Sequence, residues 1–368
     1  MENLTRASKE LFRRGPDECF ATFSELSRQC SEAKVKSSEL WYGSDEMRLD
    51  VCDGQLMLEL AGTGKFELND WSFSQLCSLA RVSKDTVNKL SPATICRVFD
   101  ETLPRDSKPL QYFVTTNGDN RVIRSIHGAS YTRLYDVDVL SMVREFAVDF
   151  CPPQEAGVAP NSGGVSLNSS DADQEQKSKT TGGTGLYRGE QDMFVFMIDP
   201  MGWAEINGEP FAPGFFLWNS EVGKRTLGIQ TFWFQAICRN HIVWDAVEVV
   251  EYSRKHTANV HEAFNQIRRI IERLVNKRDE RRDGFVHVIR KAMETKLGET
   301  PDDVLKALRD RGFTRALAKE ALGIAEKTGR FTVFSLVNAL TRMSRETQYI
   351  GERTEMDAKT ASLLTLAT

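Results

Sequence analysis

The spacing of apolar and polar positions changes period several times along the chain. In "RLDVCDGQLMLEL" the two types alternate on either side of Asp53-Gly54. That alternation predicts two short strands, because Asp-Gly takes the positive φ angles of a tight hairpin loop. The period then lengthens. Trp71, Phe73, Leu76, Leu79 and Ala80 share one face of a predicted helix, Ser83 can cap a second, and Ser91 followed by Pro92 opens a third. "LQYFVTTNGDNRVIRSIHG" returns to β-rich composition, with Tyr112, Val114, Val122 and Ile126 around an Asn-Gly-Asp-Asn turn, and predicts a second hairpin. "YTRLYDVDVLSMVREFAVDF" is helical again: Val139, Val143 and Phe146 lie on one face, with Asp136 or Asp138 near the start.

Between about Pro152 and Tyr187 large apolar side chains are nearly absent, so this Ser- and Gly-rich stretch is expected to be a flexible segment. Strand-like sequence resumes in "MFVFMIDP", "FFLWNS" and "TLGIQTFWFQAIC", so the segment interrupts a domain and does not separate two. From Asp245 onward the pattern is helical: Phe264, Ile267, Ile270, Ile271, Leu274 and Val275 recur at steps of three and four, and several more helices follow. The expected fold is α+β: an antiparallel, hairpin-rich sheet built from both sides of the flexible segment, with flanking short helices and a helical C-terminal third. Residues 1–245 would form the α+β domain, interrupted at about 152–187, and residues 246–368 a helical region packed on it or extending from it.

A chain of 368 residues, 40% of them hydrophobic, can bury a full core. Its net charge of -4 gives no global attraction to nucleic acid or anionic membranes, so any such binding must be local. No stretch resembles a signal peptide or a membrane span, which makes a cytoplasmic protein without membrane partners the expectation. The seven cysteines form no CxxC pair, as reduced core thiols would not.

Motifs for chemistry are incomplete. Gly223-Lys224 suggests a phosphate loop, yet a P-loop needs glycine and a hydroxyl where Trp218 and Arg225 stand. Cys238, His241, His256 and His261 approximate zinc-ligand spacing but lack a second Cys or an HExxH pair, and no metal site or cofactor is expected. Asp136, Asp138 and Glu221 are among many acids whose spacing selects no pair for a metal-dependent reaction. The local nucleic-acid signal is stronger. Ser253–Lys296 carries twelve Lys or Arg against six Asp or Glu, including Arg268, Arg269, Arg273, Lys277, Arg281 and Arg282, and a helix could offer several of these to phosphates. Trp218 lies among the strand aromatics that could stack on bases. Both features have plainer readings, a solvated helix face with local ion pairs and a core tryptophan.

Asn219, Ser220, Glu221 and Gly223, then Cys238 and Asn240, then His256 in Lys-His-Thr, follow an order that resembles the phage/plasmid-like protein family catalogued as a domain of unknown function. Tyr131 and Asp136 match a further motif segment upstream. His241 departs from the glycine usual there, and the segment near residue 170 looks like an insertion. The resemblance implies occurrence on mobile elements and brings no agreed activity. The preferred expectation is a non-enzymatic DNA-associated protein, with single-stranded DNA the favoured partner and annealing one role. A metal-dependent nuclease using Asp136, Glu221 and the Asn240/His256 region is the enzymatic alternative, and a protein that blocks a host defence is the third. Self-association stays open.

Overall fold

The computed structural model describes residues 10–156, 185–235, 241–244, 250–326, 331–344, 347 and 349–367. Strand β1 (Glu18–Cys19) precedes helix α1 (Phe23–Val35) and β2 (Ser37–Tyr42). Strands β3 (Met47–Cys52), β4 (Gln55–Leu60) and β5 (Gly64–Leu68) lead to α2 (Asp70–Ala80), α3 (Lys84–Val87) and α4 (Pro92–Thr102), and then to β6 (Leu110–Asn117), β7 (Asn120–Gly128) and α5 (Asp136–Phe146). Next come β8 (Leu186–Arg188), β9 (Met193–Ile198), β10 (Ala204–Ile206), β11 (Glu209–Asn219), β12 (Leu227–Gln235), β13 (His241–Trp244) and β14 (Glu251–Arg254). Helices α6 (Glu262–Asn276), α7 (Arg278–Glu294), α8 (Pro301–Asp310), α9 (Arg315–Glu326), α10 (Val333–Ser344) and α11 (Ile350–Ala361) follow.

The α+β class is as expected, but the strands form two sheets. The first has the order β2-β6-β7-β5-β4-β3 and the second β1-β8-β9-β11-β12-β13, with β10 on β11 and β14 on β12. Among the described residues every strand pairing is antiparallel except β5 with β7. The first hairpin forms where predicted: Asp53 and Gly54 have φ of 50° and 79°. Ser91 caps α4 by accepting from the Thr94 amide. The upstream chain gives the second sheet only β1, although α1 and α5 cover one of its faces. The anticipated single sheet is therefore replaced by two with separate cores, and Glu251–Arg254 is a strand where helix was expected.

Alternation explains both layers. On β9, Val195 and Met197 face the core shared with Leu26 of α1, Val139 of α5 and Ile267 of α6, while Phe194 and Phe196 face the other way, toward Phe216, Phe232 and Ile350. A strand covered on both sides has no polar face to show, which is why Met193–Ile198 reads as an unbroken apolar run. The C-terminal helices join this second face further along: Trp233 of β12 stacks on Phe285 of α7 at 4.0 Å between ring centroids. The first sheet packs its own cluster, including Leu58, Phe66 and Tyr112, against Phe73 of α2 and Phe99 of α4. The two sheets meet where the turn after β11 reaches the end of β7.

Candidate functional site

That junction gathers most of the motif residues. Asn219 ends β11, residues 220–226 turn, and Leu227 starts β12. Facing the turn are the end of β7 with the loop that leads to α5, and the loop after β14 that carries His256. Asn219, Ser220, Glu221 and Asp136 are buried, and so is His256.

Two carboxylates occupy the centre. Glu221 Oε1 accepts the Asp136 backbone amide at 3.0 Å, so Glu221 satisfies an amide at the start of α5 that has no partner within the helix. Its Oε2 accepts from Arg124 at 2.8 Å and from Arg188 at 3.2 Å. Asp136 Oδ2 accepts from Arg188 Nε at 2.9 Å and Oδ1 from Asn219 Nδ2 at 2.9 Å, while the same Asn219 nitrogen donates to the Leu134 carbonyl at 3.0 Å. Each carboxylate oxygen thus has a donor. Arg133 donates to the Glu221 carbonyl, to Glu39 at 2.7 Å and to Gln111 at 2.9 Å, and lies over the Phe113 ring at 3.7 Å. Burial raises the Asp136 pKa, with Glu221 adding to it. For Glu221 burial also works upward, but Arg124 and Arg188 outweigh it and hold the carboxyl below its usual value. Burial opposes the Arg188 charge, yet Asp136 and Glu221 prevail and raise its pKa.

The rest of the turn is fixed through its backbone. Tyr131 OH lies 3.2 Å from the Ser220 carbonyl and 3.1 Å from that of Glu221. The Val222 carbonyl accepts from Trp71 Nε1 at 2.7 Å and from His127 Nε2 at 2.9 Å. Ser220 Oγ donates to the Gln191 carbonyl and accepts the Lys224 amide at 2.9 Å. Gly223 sits at φ 71°, and a Cβ there would come within 2.5 Å of the His127 ring. The Gly-Lys pair therefore belongs to a turn packed against protein.

Beside it runs a stack of rings. His127 lies parallel to Tyr131 at 3.8 Å between centroids, and Tyr131 stacks on His256 at 5.5 Å. Neither ring nitrogen of His256 has a hydrogen-bond partner among the described residues. Burial pushes both imidazoles down from 6.5 to about 4, with Arg133 adding to the effect. The unfolded chain binds these protons more readily than the folded one, so stability falls as pH drops from 6.5 and the loss levels off below about 4. A depression of this size corresponds to about 3 kcal/mol per histidine. The raised Asp136 acts in the opposite sense, so a substitution is needed to isolate the histidine effect. His256→Phe keeps a stacked ring, and it should flatten the decline in urea-unfolding free energy between pH 6.5 and 4. An unchanged slope would mean that His256 titrates alike in both states.

The proposed DNA-contacting residues fare differently. Arg269 and Arg273 are exposed on α6. Arg268 pairs with Glu272 at 2.8 Å, Lys277 with Glu280 at 3.3 Å, and Arg282 with Asp279 at 2.8 Å and Asp283 at 3.4 Å. Arg281 is a correction: it is buried, its pKa pushed down to about 10 by burial, and it cannot track a phosphate backbone. Trp218 is half-buried: its ring lies over Gly228, where a Cβ would come within 2.1 Å of it, and beside Phe216 at 5.2 Å. Cys238 and Asn240 lie outside the described residues, as does most of the segment expected to be flexible, and nothing structural attaches to those expectations.

The residues missed in the sequence are Arg124, Arg133, Arg188, Glu39, Gln111, His127 and Trp71. Among the described residues no group of three or more His, Cys, Asp or Glu could hold a metal ion, and no helix is long and apolar enough to cross a membrane. A cleft of about 540 Å³ adjoins the turn, lined in part by Arg14, Lys224, Arg225, Tyr349 and Glu355. Its arginines are already engaged: Arg14 pairs with Asp192 at 2.9 Å, and Arg225 with Asp192 at 3.0 Å and Glu355 at 3.1 Å, which ties α11 to the turn. No family model, curated protein or solved structure matches the chain.

Proposed function

We propose that the protein is a non-enzymatic, DNA-associated component of a mobile element, and that its motif residues build the joint between the two sheets. The observation that carries this reading is the burial of the central carboxylates, Asp136 and Glu221, each of whose oxygens already faces a donor of the protein, from arginine, asparagine or backbone. A carboxylate that is to bind a catalytic metal or activate water needs a free lone pair facing a substrate path. The DNA part rests on surface cations, Arg269 and Arg273 among them, in a chain whose net charge is -4, so contact is confined to a patch. The mobile-element setting rests on the motif resemblance, of whose described residues Tyr131, Asp136, Asn219, Ser220, Glu221, Gly223 and His256 come together at the joint.

The reading is tested by fluorescence anisotropy with labelled single- and double-stranded DNA at several salt concentrations, with and without magnesium. Binding is expected to weaken steeply with salt, as counterion release requires, and the DNA should stay intact. No binding to either form at low salt would overturn the DNA reading. Magnesium-dependent cleavage abolished by Asp136→Asn would favour the nuclease instead.

A further inference from the structure

A second run of positive charge lies outside the segment considered so far. From Lys306 to Lys319 the chain has five cations, Lys306, Arg309, Arg311, Arg315 and Lys319, against one acid, Asp310. None of the five is ion-paired among the described residues, in contrast to Arg268, Lys277 and Arg282 on α6 and α7. All are exposed or half-buried.

The backbone that carries them is sharply defined. Helix α8 ends in a paired closing motif, with the Gly312 amide donating to the Arg309 carbonyl at 2.8 Å and the Phe313 amide to that of Leu308 at 3.1 Å. Gly312 supplies the left-handed residue that this motif needs, at φ 79°. Thr314 then caps α9, its Oγ1 accepting the Leu317 amide at 3.3 Å. Phe313 anchors the turn in the core with Val304 and Leu308 of α8 and Ala318, Ala321 and Leu322 of α9. Lys359 of α11 donates to the Gly312 carbonyl and adds its charge there. Two helices joined by the four residues Arg311–Thr314, with glycine in the turn, have the connection of a helix-turn-helix.

The outer side of α9 suits the role of its second helix. Arg315, Ala316, Lys319 and Glu320 are exposed, and the position a Gly323 side chain would occupy is open. Ala316 and Gly323, seven residues apart, flank Lys319 on one stripe, and such small residues let a helix approach base edges closely. We propose that α8, this turn and α9 form a helix-turn-helix that lays the exposed face of α9 in the major groove of duplex DNA. Arg315 and Lys319 reach into or across the groove, while Arg309 and Arg311 meet the flanking phosphates. The proposal rests on the DNA-associated reading and names its partner as duplex DNA.

The test compares three full-length proteins, wild type, Arg315→Glu/Lys319→Glu and Arg269→Glu/Arg273→Glu, by anisotropy on a short labelled duplex and on one of its strands. The first double variant should lose about 30-fold or more in duplex affinity at low salt, and its plot of log affinity against log salt should flatten by about two contacts' worth. Single-strand binding should change less, the α6 variant, whose cations can meet the phosphates of either form, should weaken both forms alike and by less, and unchanged melting temperatures would confirm that all three are folded. Wild type that binds DNA, with duplex affinity unaltered by Arg315→Glu/Lys319→Glu, would overturn this assignment and leave the DNA reading standing. An equal loss on single strands would overturn the groove contact. Wild type that binds no DNA would overturn both.

Discussion

Glu221→Gln is expected to lower the unfolding free energy by about 3–5 kcal/mol, the range found when one partner of a buried ion pair is removed. The change is nearly isosteric, so the loss comes from charge and hydrogen bonding, with little cavity. Arg124 and Arg188, whose side chains are 14% and 12% exposed, would be left facing a neutral amide, with Asp136 alone to balance them. The start of α5 would also lose an anionic acceptor for its first amide, which favours a negative charge at that end of a helix. Urea unfolding at neutral pH measures the effect. A loss below about 1 kcal/mol would place Glu221 among weakly coupled surface acids and remove its structural role.

Gly223→Val should be comparably severe, for two reasons that add. A φ of 71° is the left-handed region, which β-branched residues rarely adopt, and this strain costs about 1–3 kcal/mol. The new Cβ would also lie 2.5 Å from the His127 ring and 3.0 Å from that of Tyr131, both packed in the stack and unable to yield without parting from each other. Overpacking of this kind adds about 1–3 kcal/mol. Thermal melting is the direct measure. A melting temperature within a degree or two of wild type would show that the turn can rearrange, and would contradict a rigid joint at this point.

The uneven legibility of the chain follows from the range of the interactions involved. Asp53-Gly54 and Ser91-Pro92 were readable because the signal and the structure it causes lie within four residues of each other. The helical character of α6 was readable too, since Ile267, Ile271 and Leu274 face the core at helical spacing. The make-up of the first sheet was hidden, because its two halves are joined by β5 pairing in parallel with β7 across more than fifty residues, which no local pattern encodes.

The motif segment pointed to Asp136 and to the turn after β11, but it could not show what neutralises them. Arg124, Arg133 and Arg188 carry no local signal in the sequence that sets them apart from surface arginines. Only the meeting of β7, the loop before α5 and β8 buries them around two carboxylates. Charge counting failed on α6 and α7 for the converse reason. Glu272 and Glu280 lie three or four residues from the cations they pair with, and Asp199, remote in the chain, takes Arg278. At Lys306–Lys319 acids also lie at helical spacing, Asp303 three residues and Asp310 four residues from Lys306, yet among the described residues no ion pair forms there, which a sequence count could not show.

The central claim is that Glu221 joins the second sheet to the first through Arg124 of β7. It is tested most directly by a double-mutant cycle on that pair, with Arg124→Met, Glu221→Gln and the double variant unfolded in urea under identical conditions. The account predicts a coupling energy of about 2 kcal/mol or more, the upper part of the range for contacting residues in one buried network. Additive effects, within about 0.5 kcal/mol, would show that the two side chains act independently and would contradict the joint.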